Sequence, residues 1–308
     1  MLSSVIGALG DRVDSKFLTA YWLPAFVLVL GSICAVGLAV GPGHVEGWIA
    51  GLDGVEQALA ALLVVLVISM VAFMLRALTR PITEVFAGVA LPRAVARAFT
   101  QGQVRARDRA ARLLGNSSGA GSQAIDQQAE VWLQSRFPTD DANLKPTLFG
   151  NLLASVSEHP FVAYSMAGAL WWPRLSPLLP GSFQDTLAGA QAPMMALLNL
   201  SVVFSALALS GVLAGLLTAQ WGIAIVWGAG ALILSRLAYR AAVSQAAEVG
   251  NMLRVAFDLY RYDILDQLDR PHPETLADER ALWLSLTQDV LGLDAPRPAT
   301  PSDMPRAA

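Results

Sequence analysis

Four stretches of this chain are apolar over the length of a membrane crossing. They run from about Thr19 to Val40, Ala58 to Ala77, Pro193 to Leu217 and Trp221 to Ala238, and charge enters them only beside an end, at Arg76 and Arg236. A hydrocarbon core about 30 Å thick is crossed by roughly 20 apolar residues in a helix. Only a helix or a closed barrel satisfies its own backbone hydrogen bonds there. The stretches therefore predict an all-α membrane protein with four transmembrane helices in two hairpins. Composition agrees, because 15% of the 308 residues are charged, against about 25% in ordinary soluble domains.

Orientation follows from the positive residues. Residues 1–18 carry two, 76–192 carry eleven and 236–308 carry eight, while the 41–57 loop and the turn near Gln220 carry none. This predicts both termini and the long central region cytoplasmic. With lysine only at Lys16 and Lys145 against plentiful arginine and alanine, the composition points to a GC-rich bacterial genome and hence a bacterial plasma membrane. The first apolar run exceeds a signal h-region and is followed by a returning span, so it reads as an uncleaved anchor. Upstream, Leu2, Val5, Ile6, Leu9, Val13 and Phe17 share a helical face. That pattern predicts an amphipathic helix over 1–18, lying at the inner surface or docked on the protein's own core.

The organisation predicted is then a hairpin at 19–77, a mainly helical cytoplasmic domain at 78–192, a second hairpin at 193–238, a cytoplasmic helical tail at 239–292 and a disordered Pro-rich end at 293–308. Pro81 and Pro92 divide the first cytoplasmic segment into helical pieces. Eight arginines from Arg76 to Arg112 make it the most basic part of the chain. They set topology and present a solvated face, with contact to anionic headgroups as the functional alternative. The composition of residues 115–123, GNSSGAGSQ, reads as a flexible linker ahead of a helix centred on Trp132.

The stretch 146–180 concentrates Pro, Trp, Tyr, His and charge. Thr147 is the expected N-cap of a helix ending at His159-Pro160. Pro173, Pro177 and Pro180 predict an extended arm carrying Trp171 and Trp172. Glu158 and Arg174 suit a charge-assisted pair joining the two. Glu158-His159 lacks the HExxH spacing, and His44 and His272 lie elsewhere, so no metal site is expected. The chain has no GxSxG, P-loop or dinucleotide fingerprint, and its single cysteine, Cys34, excludes an internal disulfide. We therefore expect no enzyme activity, no cofactor and no nucleic-acid partner.

The block Pro146-Thr147, Gly150-Asn151, Glu158, Tyr164 and Trp172-Pro173-Arg174-Leu175, closing at Pro180, resembles one in a family of uncharacterised multi-pass bacterial membrane proteins common in actinomycetes. The segments FDLYRYDILDQL and ERALW also look like that family's tail. In such relatives a glycine usually follows the tyrosine, where this chain has Ser165. The resemblance brings no activity. It singles out Asn151, Glu158, Tyr164, Trp172 and Arg174 as structural or interaction residues.

The spans hold no ionisable group at mid-depth, which argues against a proton-coupled transporter. The third has Asn199, Ser201, Ser205 and Ser210, with Gly211 and Gly215 four apart, a spacing that lets helices approach closely. Beyond the fourth, Tyr239, Val243, Ala246, Gly250, Leu253, Phe257, Tyr260 and Ile264 make a near-heptad seam. The seam serves self-association or packing on the central domain. Asp258, Asp263, Asp266, Arg254 and Arg261 fall mostly on its other faces. Glu274 to Leu291 predicts a last helix, with Trp283 inward and Gly292 as its stop.

Two functions follow as expectations. One is a homo-oligomeric, pore-like or channel-like assembly with a cytoplasmic gating or sensing domain, lined or packed through Asn199, Ser205, Ser210, Gly211 and Gly215. The other is a membrane-anchored scaffold that docks a cytoplasmic protein partner. In both, the lipid bilayer is the constant partner.

Overall fold

The computed structural model of the protein describes residues 15–41, 43, 47, 50–116, 123–218 and 221–292. Among these residues the chain is helical throughout, with no strand. The expected amphipathic helix at 1–18 falls mostly outside the described residues, as do most of the linker and the whole Pro-rich end.

A short turn at Ser15–Phe17 leads through a π-helical turn, Leu18–Trp22, into α1, Leu23–Val40. Helix α2 spans Gly54–Ala77 and starts at a reciprocal cap. Asp53 accepts from the amides of Val55 and Glu56, while Glu56 reaches back to the Asp53 amide. Helices α3 (Thr79–Phe86), α4 (Arg93–Asn116) and α5 (Gln123–Arg136) follow. Helices α6 (Leu148–Tyr164) and α7 (Gly168–Leu175) come next, then a 3₁₀ turn at Ser176–Leu178. The chain closes with α8 (Gly181–Leu217), α9 (Trp221–Gln267) and α10 (Leu276–Leu291).

Three segments are long and apolar enough to cross a membrane: Ser15–Leu38, Gly54–Ala77 and Gly181–Leu217. The fourth expected span, 221–238, forms the first part of α9. That helix has 47 residues, so it is roughly 70 Å long at 1.5 Å per residue. Helix α8 likewise begins twelve residues before its predicted span and runs unbroken through Pro193. These two helices pair along their length, and α1 packs against α8 and α2.

The heptad-like seam is covered from within the chain. Val243, Ala246 and Val249 of α9 meet Phe149, Leu152 and Val156 of α6 and Leu187, Met194 and Leu198 of α8. Further along, Ala256, Phe257, Ile264 and Leu265 meet Trp171 and Leu175 of α7 and Trp283 and Leu286 of α10. Gly250 permits the close approach, since a Cβ there would lie 2.6 Å from a Val156 methyl. Helix α10 follows its expected limits closely, with Thr275 accepting from the Asp278 amide, Trp283 buried and Gly292 left-handed at the end.

Two expectations for 146–180 are corrected. Helix α6 does not stop at His159-Pro160 but continues to Tyr164, ending on Ser165 with φ of 58°. A left-handed C-cap suits glycine best, and here Ser165 takes that conformation. Residues after it form no extended arm, because Pro173 lies inside the short helix α7. Pro160 is accommodated by packing: it is fully buried, and a Cβ on Gly168 would lie 3.2 Å from its ring. Burial on both sides outweighs the lost backbone donor.

Candidate functional site: a basic cavity at the membrane junction

Where α9 leaves the apolar segment, one of its faces carries Leu232, Ser235, Arg236, Tyr239, Arg240 and Val243, spaced by three or four residues or adjacent. All six line a single cavity of about 990 Å³, closed on the other side by α3, α4 and α5 with the segment at Pro146–Leu148. Thr147 fixes that segment. Its hydroxyl donates to the Phe86 carbonyl at 2.5 Å and accepts from the Gly150 amide at 2.9 Å. Gly150 is required there, because a Cβ would lie 2.2 Å from the Ala87 carbonyl oxygen. Tyr239 is held on both sides, stacked on Phe86 at 5.6 Å and with the Phe149 amide donating to its hydroxyl at 3.4 Å.

The cavity is electrostatically one-sided. Among the described residues Arg136, Arg236 and Arg240 line it, and no Asp or Glu does. Among the described residues none of the three arginines has a carboxylate within ion-pair distance. Arg236 lies over the Tyr239 ring at 5.5 Å and Arg136 over the Trp132 ring at 4.5 Å, so both guanidiniums are oriented by aromatic faces. Toward the apolar part of α9 the walls include Leu232 and the hydroxyls of Ser201, Ser205 and Ser235. Phe99 and Trp132, 57% and 39% exposed, also line the cavity.

A second cluster lies where α6, α9 and α10 meet. Asp258 accepts from the Tyr164 hydroxyl at 2.9 Å and contacts His159 Nε2 at 2.8 Å. Arg261 bonds the Asp258 carbonyl, lies over the Tyr164 ring at 4.1 Å and meets Glu279 at 2.5 Å. Burial, then the bond donated to Asp258, pushes Tyr164 up to about 12. Burial alone would raise Glu279, but hydrogen bonds from Arg261, Tyr262 and Trp283 outweigh it and hold that carboxyl below its usual range. This network ties α6, α9 and α10 together. Asp258 and Arg261, expected on outer faces, are central to it. Among the described residues no group of His, Cys, Asp and Glu side chains is arranged to hold a metal ion.

The residues singled out from sequence do not converge on one site. Asn151 is fully buried, accepting from the Lys145 amide at 2.6 Å and donating to Gln103 at 3.4 Å. Glu158 accepts from the Thr139 amide at 2.7 Å. Arg174 instead donates to the Leu170 carbonyl and lies over Trp171. The expected Glu158–Arg174 pair is therefore absent, since each group has its own nearer partner. Trp172 packs on Phe257 at 5.9 Å. Asn199 lines no open face: it is buried and donates to the Ala20 carbonyl at 2.8 Å. Ser205 contacts Ser235 at 2.9 Å, Ser210 donates to the Leu207 carbonyl, and Gly211 and Gly215 receive Trp227 and Ala224 of α9.

Sequence reading missed the cavity because its arginines come from helices distant in sequence. The available signal was the run from Leu232 to Arg240 on one face of a helix just past its apolar part. Comparison with protein-family models, curated proteins and solved structures finds no match to the chain.

Proposed function

We propose that this is a four-span protein of the bacterial plasma membrane, both termini cytoplasmic, acting as a membrane-anchored binding platform. In this reading α8 and α9 are stiff posts, and the first part of α9 is the fourth span. They carry a helical cytoplasmic body and hold the junction cavity at the inner face of the bilayer. The observation that carries the reading is the cavity itself, with three arginines, no carboxylate among its described lining residues, and apolar walls where the spans meet the body.

A pore-like assembly is the weaker reading. The polar groups that would line its conduit already have partners within the same chain: Asn199 with Ala20, Ser205 with Ser235, and Ser210 with Leu207. The seam that would join subunits is covered by α6, α7, α8 and α10.

Reconstitution of the purified full-length protein in planar bilayers tests the choice. The expected result is a membrane without current above background at any protein density. Unitary current steps that disappear in Gly215→Leu, a variant that disrupts the α8–α9 contact, would restore the pore reading and overturn the platform.

A further inference from the structure

We infer that the junction cavity binds an anionic phospholipid of the inner leaflet, its phosphate held by Arg236, Arg240 and Arg136 and one acyl chain lying against Leu232. The inference rests on the platform reading for the leaflet that the cavity faces, while the class of ligand follows from the cavity alone.

Three features select an anionic amphiphile. The first is charge: three guanidiniums share a cavity lined, among the described residues, by no Asp or Glu. Guanidinium groups recognise phosphate through paired N–H donors. The second is the order of groups along α9. Leu232 is 58% exposed within the apolar part of the helix, and Arg236 and Arg240 follow roughly 6 and 12 Å further out at 1.5 Å per residue. A ligand touching all three is apolar at membrane depth and anionic a short distance above it. A free phosphate leaves the apolar end uncovered. The third is size, since about 990 Å³ is near the upper end of the roughly 300–1,000 Å³ of small-molecule sites. That suits a headgroup with part of a chain.

The walls also account for retention. Phe99 and Trp132 stand exposed outside the spans, where aromatic side chains facing water gain by covering a lipid chain. The Ser201, Ser205 and Ser235 hydroxyls bond one another and the Ser201 carbonyl, so the membrane end of the cavity presents little unmet polarity to an acyl chain.

The test is native mass spectrometry of full-length protein from maltoside micelles, titrated with phosphatidylglycerol or phosphatidylcholine. Wild type is expected to retain one phosphatidylglycerol at least about tenfold better than phosphatidylcholine. Arg236→Gln/Arg240→Gln should weaken that retention by about tenfold or more. Arg93→Gln/Arg97→Gln, which removes equal charge from exposed positions outside the cavity, should not. Ala106→Trp, at an exposed lining position, keeps every arginine and should block binding by filling the space.

Equal loss in the two double variants would reduce the effect to general surface charge and overturn the site. Full displacement by millimolar inorganic phosphate would make the ligand a soluble anion and overturn the lipid. Unimpaired binding in Ala106→Trp, or a wild-type dimer carrying no lipid, would also overturn it. Because binding is read in micelles, a failure of the proposed topology leaves these outcomes unchanged and is detected separately by labelling in cells.

Discussion

Asn199 supplies the hydrogen bond that Pro24 withholds. An α-helix pairs each carbonyl with the amide four residues on, but residue 24 is proline and has no N–H. The Ala20 carbonyl, inside the π-helical turn, receives the Asn199 amide from α8 instead. Asn199 thereby stitches α1 to α8, and its polarity reports a backbone defect elsewhere rather than a path for ions. Replacing it by leucine keeps the volume and strands a buried carbonyl, which costs about 1–3 kcal/mol. We expect Asn199→Leu to lower the melting temperature in detergent. The effect should shrink when Pro24→Ala restores a local donor. A cycle of these two substitutions with strictly additive losses would show that the two positions are not linked.

At the scale of elements, the contact between α8 and α9 depends on missing side chains. A Cβ on Gly215 would lie 2.2 Å from the Ala224 Cβ and 2.9 Å from its Cα, and one on Gly211 would lie 2.0 Å from the Trp227 ring. Gly215→Ala must therefore push two backbones apart, at a cost of about 1–3 kcal/mol. Gly230→Ala meets nothing within 4 Å and should be neutral or slightly stabilising through helix propensity. Thermal stability of the two variants separates them, and equal melting temperatures would refute close packing at Gly215. This spacing was legible in the sequence, as were three of the four apolar segments, the Thr147 cap, and Trp283 with its Gly292 stop. All of these are local patterns. What misled was proline: read locally, Pro160 and Pro173 end helices, yet Pro160 is buried inside α6 and Pro173 sits on the exposed side of α7, whose Trp171 and Leu175 are buried. Long-range pairing was equally hidden. Glu158 and Arg174 looked like partners by charge, but nearby backbone groups engage them first.

At the scale of the whole molecule, the proposed arrangement rests on where the 21 basic residues fall. The cavity gives that distribution a structural counterpart, since Arg136, Arg236 and Arg240 gather just past the apolar part of α9, on the side that the charge rule assigns to the cytoplasm. If the chain were inverted, the arginine-rich α4 and the whole cytoplasmic body would have to cross the bilayer, against the charge bias. The arrangement therefore predicts opposite labelling of two engineered cysteines in intact cells, in a Cys34→Ala background because Cys34 is exposed on α1. Gly51→Cys, in the loop before α2, should react with an impermeant maleimide added from outside. Position 51 serves better than Asp53, whose side chain caps α2. Asn116→Cys, at the end of α4, should react only after the membrane is permeabilised. Labelling of residue 116 from outside would reverse the orientation and move the cavity to the outer leaflet. Labelling of both would break the pairing of spans, because 51 and 116 are separated by α2 alone among the three segments capable of crossing.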